Sequence, residues 1–205
     1  MPADNTPNLF RSLFPDDDDK KDEKPSFKGK STAEELDVRF AENFSEVGGK
    51  FVYCENSSAF FKMLQSLKTE NEWNEFFVCD HEINIFMQDY GFENGQVYKN
   101  MEDCDVAISY CYGLVADEGV IMLAPHQATN RRLTDFPNHH VLIAFKNNLI
   151  SNIEDAISEF KLAFHDKLPS IIELNENFPV YQAHKSHLLN ASGTSSVYVF
   201  YIDEE

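Results

Sequence analysis

Apolar positions recur along the chain with two periods, and their alternation lays out a fold. STAEELDVRFAENFSEVGG places Leu36, Phe40, Phe44 and Val47 at helical spacing. Ser31 and Glu34 form a capping box at its start, and Gly48–Gly49 end it. KFVYC then reads as a strand, SSAFFKMLQSL as an amphipathic helix and EFFVCD as a second strand. HEINIFMQDYG is a short helix with Ile83, Phe86, Met87 and Tyr90 on one face. Beyond residue 104 the character changes: DVAIS, GVIMLA and HHVLIAF are three short, β-rich apolar runs. SNIEDAISEFKLAF returns to helical period, with Ser151 and Glu154 as a second capping box and Ile153, Ile157, Phe160 and Phe164 as its stripe. SIIEL and SSVYVFYID are further strands. Continuous apolar strands alternating with helices predict an α/β sheet covered by helices on both faces. The consecutive strands in the middle predict mixed rather than purely parallel pairing.

Residues 1–30 break this pattern. PDDDDKKDEKPSFKGK is blocked charge with two prolines and little to bury, which predicts a flexible acidic tail. Just before it, NLFRSLF holds Leu9, Phe10, Leu13 and Phe14 at helical spacing, suited to docking on a partner or on the domain itself. The chain therefore divides into a tail, 1–30, and one α/β domain, 31–205.

The totals narrow the function. With 17 Lys and Arg against 35 Asp and Glu, the net charge of −18 repels phosphate backbones and anionic lipid. Nucleic-acid partners and membrane insertion are not expected, while a local basic pocket for a small anionic substrate stays open. The N-terminus lacks a basic region followed by an apolar core, and no apolar run approaches membrane-spanning length, so a soluble, cytoplasmic protein is expected. The four cysteines, Cys54, Cys79, Cys104 and Cys111, show no two-residue spacing. They read as free thiols in a reducing compartment, and all but Cys111 sit in or beside apolar runs. No cofactor is expected on this chain: neither a G-x-G-x-x-G nor a Walker sequence is present. A G-x-S-x-G elbow is also missing, and His184 with His187 lacks a third metal ligand nearby.

Candidate chemistry gathers between Leu114 and Phe145. Asp117 and Glu118 are suited to general-base work or to holding a substrate hydroxyl, and equally to a solvated turn. Arg131 and Arg132 are suited to clamping a carboxylate through two parallel bonds, and equally to surface ion pairing. His140 reads either as a proton shuttle or as a core-edge histidine, with His139 facing the other way along the strand. Thr194, Ser195 and Ser196 after Gly193 offer hydroxyls and backbone N–H groups to an anion, or make a plain turn before the last strand.

The stretch from Asp105 to Ile150 resembles the LUD (lactate utilisation) domain, in particular the C-subunit type of the bacterial lactate-utilisation system. Ala116, Asp117, Glu118, Gly119 and Val120 occupy its A-E-T-G-T motif, with Asp for Glu and Glu for Thr. Arg132, Leu133, Pro137 and His140, followed by VLIAF, match its second motif. The likeness extends more loosely over residues 31–205. The C-terminus departs from it: NASGT keeps only Gly193 of the family's final G-x-H-G-P turn, and ENFPVYQAH keeps none of the serine, arginine, threonine and aspartate of G-P-S-R-T-A-D-I-E. The resemblance implies a fold of the ribose-phosphate isomerase and CoA-transferase type. It also implies a role in oxidising lactate to pyruvate, with iron–sulfur clusters carried by partner subunits.

Three functions follow. The first is an accessory or substrate-binding subunit for lactate or another small hydroxy acid. In it Arg132, with Arg131, Gly193, Thr194 and Ser195, holds the anion, and Asp117, Glu118 and His140 handle protons. The second is a non-catalytic interaction protein that kept the fold and lost the site. A third, an isomerase or acyl-transfer enzyme of the same broad fold, lacks a nucleophilic glutamate in a recognisable setting. The first requires the acid pair, Arg132 and His140 to meet in one recess at one end of the sheet.

Overall fold

The computed structural model describes residues 33–92, 103–124, 136–164, 169–173, 188–190 and 196–204. The tail of residues 1–30 and the Ser31 cap lie outside them. Helix α1 (Ala33–Glu46) leads through Gly48, at φ 91°, into β1 (Lys50–Cys54). Helix α2 (Ser57–Glu70) is capped by Asn56, whose side chain accepts from the Ala59 N–H, and is followed by β2 (Phe76–Val78). Helix α3 (His81–Asp89), capped by Asp80, precedes β3 (Val106–Tyr110).

Strands β4 (Gly113–Val115) and β5 (Val120–Leu123) form a hairpin. Strand β6 (His139–Phe145), a 3-10 turn, β7 (Leu149–Ile150) and helix α4 (Ile153–Phe164) follow. The remaining strands are β8 (Ser170–Glu173), β9 (Leu188–Asn190) and β10 (Ser196–Ile202).

The α/β class and the mixed pairing stand as read from the pattern, but the strands form two sheets rather than one. The first, ordered β1-β10-β6-β3-β2, is parallel throughout. The second, ordered β7-β4-β5-β8-β9, holds the antiparallel pairs, β4 with β5 and β5 with β8. Strands β4, β7 and β9 have three, two and three residues, too short to show a period.

Side-chain alternation distributes the core over three interfaces. On one face of the parallel sheet, α2 and α3 bring Phe60, Phe61, Leu64, Ile83 and Met87 against residues such as Phe76, Ile108 and Phe200. On the other, Ala107, Leu142, Ala144, Val197 and Val199 meet α1 through Phe40 and Phe44, and the second sheet through Leu114, Ala116, Ile121 and Leu123. The outer face of the second sheet, with Val115, Val120 and Met122, packs on Ile153, Ala156 and Phe160 of α4. Each such buried aromatic or aliphatic side chain contributes roughly 1.5–3 kcal/mol.

Two crossings between the sheets, β3 to β4 and β6 to β7, are fastened together by buried Asn148. It donates to the carbonyls of Cys111 and Tyr112 and accepts from the Phe145 N–H. Cys111, which the pattern left outside the apolar runs, is fully enclosed at the first crossing. The cap of α4 also differs from the expected Ser151. Asn152 accepts from the Asp155 N–H and donates to the Asp155 carboxylate, because the Ser151 carbonyl is already engaged by the Asp117 N–H.

Candidate functional site

The acid pair sits at the tip of the β4–β5 hairpin, gripped from two sides. Asn43 of α1 donates to the carbonyls of Ala116 and Asp117 at 2.8 and 3.1 Å. Arg39, one turn earlier, pairs with the Asp117 carboxylate at 2.6 Å, both side chains being about 40% exposed. From the other side Glu118 accepts from the Ile153 N–H at 3.3 Å, at the start of α4, where a carboxylate is favoured by the helix end. Burial raises the Glu118 carboxyl above its ordinary range, and neighbouring Asp117 adds to this while the Ile153 bond opposes it. Both acids thus join helices to the hairpin.

His140 points to the opposite side of the second sheet from α4, into the core between the sheets. Its Nε2 lies 2.8 Å from the Ser109 hydroxyl, and its ring packs 4.9 Å from that of Phe136. Full burial pushes its pKa down to about 3, so it is neutral near pH 7. A proton shuttle exposed to substrate does not fit that setting. A core histidine satisfied by a serine does. Among the described residues the side-chain bonds of Asp117 and Glu118 run to Arg39 and to the start of α4, and that of His140 runs to Ser109, so no hydrogen bond joins the acids to the histidine. Arg131, Arg132, Gly193, Thr194 and Ser195 lie outside the described residues, as do His184 and His187. Among the described residues no group of three or more His, Cys, Asp or Glu is placed to hold a metal ion.

The structure does unite the starts of the strands that these outlying segments lead into. Residues 131–132 precede β6, and residues 193–195 run directly into β10. These strands are parallel neighbours with His139 opposite Ser196, and β1 lies on the other side of β10 with Lys50 opposite Tyr198. At this edge the Lys50 ammonium donates to the Tyr198 hydroxyl at 2.8 Å, lies 3.4 Å from the Ser196 hydroxyl and sits 4.4 Å from the Tyr198 ring centre. Trp73 closes the group, 5.3 Å from the His139 ring and 5.6 Å edge-on to Tyr198. Burial, helped by Lys50 and opposed by Asp105, lowers the His139 pKa. Sequence reasoning passed over Lys50, Trp73 and Tyr198. The signals were a lone cation opening a strand in an acidic chain and the one tryptophan, but their meeting depends on pairing across 146 to 148 residues.

The sequence profile of the LUD domain matches residues 38–177. The chain belongs to the LUD domain family. A solved structure of similar fold is that of a DUF162 family protein from Deinococcus radiodurans, with a TM-score of 0.58 and 12% identity over 84% of this chain and 99% of that one. At that identity the likeness shows the fold alone. The comparison with curated proteins gives no match. The LUD match takes in the hairpin tip, Lys50, Trp73 and both histidines, and ends before β9 and β10, which complete the sheet edge.

Proposed function

We propose that this LUD-domain chain binds lactate or a related small hydroxy-acid anion, as a substrate-binding or accessory subunit whose redox chemistry belongs to iron–sulfur partner subunits. Its family is linked in general to lactate utilisation. The observation that carries the reading is the pairing of His139 with Ser196. Residues 131–132 precede β6 in the sequence and residues 193–195 precede β10, and these two strands start side by side next to the Lys50 cation. In this reading Arg132 clamps the carboxylate, Arg131 adds charge, and Gly193, Thr194 and Ser195 supply N–H and hydroxyl donors. Oxidising lactate to pyruvate removes two electrons and two protons. This chain's separate free cysteines, two of them buried, provide no cluster framework, so the electrons pass to a partner.

The test is a thermal-shift titration of the full chain with lactate, pyruvate, a sugar phosphate and a CoA ester. A ligand at ten times its Kd adds about 1.4 kcal/mol, a rise of about 3–5 °C for a chain of this size. Arg132→Ala abolishes the rise with lactate. No response to lactate or pyruvate at millimolar concentration overturns the proposal.

A second reading, an interaction protein that kept the fold without the site, is favoured by one observation. Asp117 and Glu118, the acid–base candidates, are committed to Arg39 and to the start of α4. It predicts no small-molecule response in the same titration.

A further inference from the structure

We infer that Lys50, Trp73 and His139 form a subsite for one carboxylate group at the edge of the parallel sheet where its strands begin, a refinement that rests on the hydroxy-acid reading above. Each residue is placed there by its own local cause. Lys50 opens β1 immediately after the Gly48–Gly49 turn. His139 opens β6 and faces away from the inter-sheet core that holds His140. Trp73 is folded back by the end of α2, where Glu72 adopts the left-handed conformation at φ 56° and the Trp73 N–H bonds to the Lys68 carbonyl at 3.0 Å.

Two features point to a ligand here. Trp73 Nε1 and His139 Nδ1 are both buried without a hydrogen-bond partner, and their rings are in contact. Nearly all buried polar groups in folded proteins are paired, and an unpaired one costs roughly 1–3 kcal/mol. Two orphans on rings in contact imply a partner that the described residues do not supply. The second feature is charge. Lys50 bonds only neutral hydroxyls and no carboxylate pairs with it among the described residues, although acids outnumber bases 35 to 17.

An indole N–H, an ammonium and an imidazole nitrogen suit the two oxygens of a carboxylate. A phosphate dianion is less well matched, because the group holds one lysine and the Asp105 carboxylate also acts on His139. Asp105 itself is held by the backbone N–H groups of Asn74 and Glu75 at 2.7 and 3.0 Å. A trapped water would also fill the orphan positions, but it would not respond to added anion.

Because Trp73 is the one tryptophan of the chain, its indole N–H gives a single, assigned cross-peak in a nitrogen–proton correlation spectrum of the full-length protein. Sodium lactate, acetate and pyruvate are titrated against sodium chloride at matched ionic strength. The inference expects the indole signal to move saturably with the carboxylates and not with chloride, and Lys50→Met to weaken the response about tenfold or more. Should Lys50→Met fail to fold, Trp73→Phe keeps an aromatic side chain, deletes the N–H and is expected to lower the lactate-dependent thermal shift. A stationary indole signal beside an intact lactate thermal shift overturns the subsite and leaves the hydroxy-acid reading standing. A stationary signal with no thermal shift overturns both.

Discussion

Gly119 turns at φ 62° with its Cα facing α1, and a Cβ there would lie 2.8 Å from the backbone of Asn43 and Phe44. Alanine would meet both a left-handed penalty and rigid backbone, so Gly119→Ala is expected to cost at least about 2 kcal/mol in urea unfolding. Asp117→Asn, which breaks a half-exposed ion pair, is expected to cost less than about 1 kcal/mol. Equal costs for the two would mean that the tip is held by charge rather than by fit. His140 makes a prediction of a different kind. Its folded pKa of about 3 lies below the unfolded value near 6.5, so on acidification the unfolded chain takes up the proton first. Stability from this group is complete above pH 6.5 and falls toward pH 3, by up to about 1.4 kcal/mol per pH unit. Glu118, with its raised pKa, acts in the opposite sense, so the wild-type slope is compared with that of His140→Gln. If the slopes agree, His140 is not the group that titrates. These residue types were legible as chemistry in the sequence. Their duties were not, because they are set by Arg39, Asn43 and Ser109, separated from their partners by 78, 73 and 31 residues.

At the scale of elements, length decided what could be read. Strands β1 and β6 run residue for residue where KFVYC and HHVLIAF put them, since five and seven apolar-rich residues are enough to declare a strand. At three and two residues, β4 and β7 were too short to declare themselves, and with them went the division of the strands into two sheets. The expected cap of α4 was off by one residue because a serine and an asparagine stand side by side and only tertiary pairing of Ser151 chooses between them. The end of α2 gave no glycine signal at all. It closes with Glu72 in the left-handed position that glycine usually fills, returning Trp73 to the sheet. Glu72→Gly is therefore expected to stabilise the protein by about 0.5–1 kcal/mol, the relief of left-handed strain exceeding the entropy lost by a freer unfolded chain. Urea unfolding followed by Trp73 fluorescence measures it. A less stable variant would show that the Glu72 side chain holds the turn.

For the whole molecule the governing quantity is charge. Residues 1–30, though dense in aspartate, carry six bases against seven acids, so −17 of the net −18 falls on residues 31–205. That field repels every small carboxylate, while the proposed contact with Lys50 attracts one at close range. The two differ in their response to salt. The Debye length falls from about 30 Å at 0.01 M to about 8 Å at 0.15 M, which screens a field spread over the domain far more than a contact of about 3 Å. Added salt is therefore expected to raise the melting temperature of the free protein by easing self-repulsion. It is also expected to tighten lactate binding, the reverse of what an exposed ion pair alone would show. Titrating the Trp73 indole signal with lactate at both ionic strengths, with fluoride as the salt's anion to limit competition, gives the sign directly. Affinity that falls with salt would mean that the anion is held by exposed charge at the surface rather than in a partly buried contact with the indole N–H.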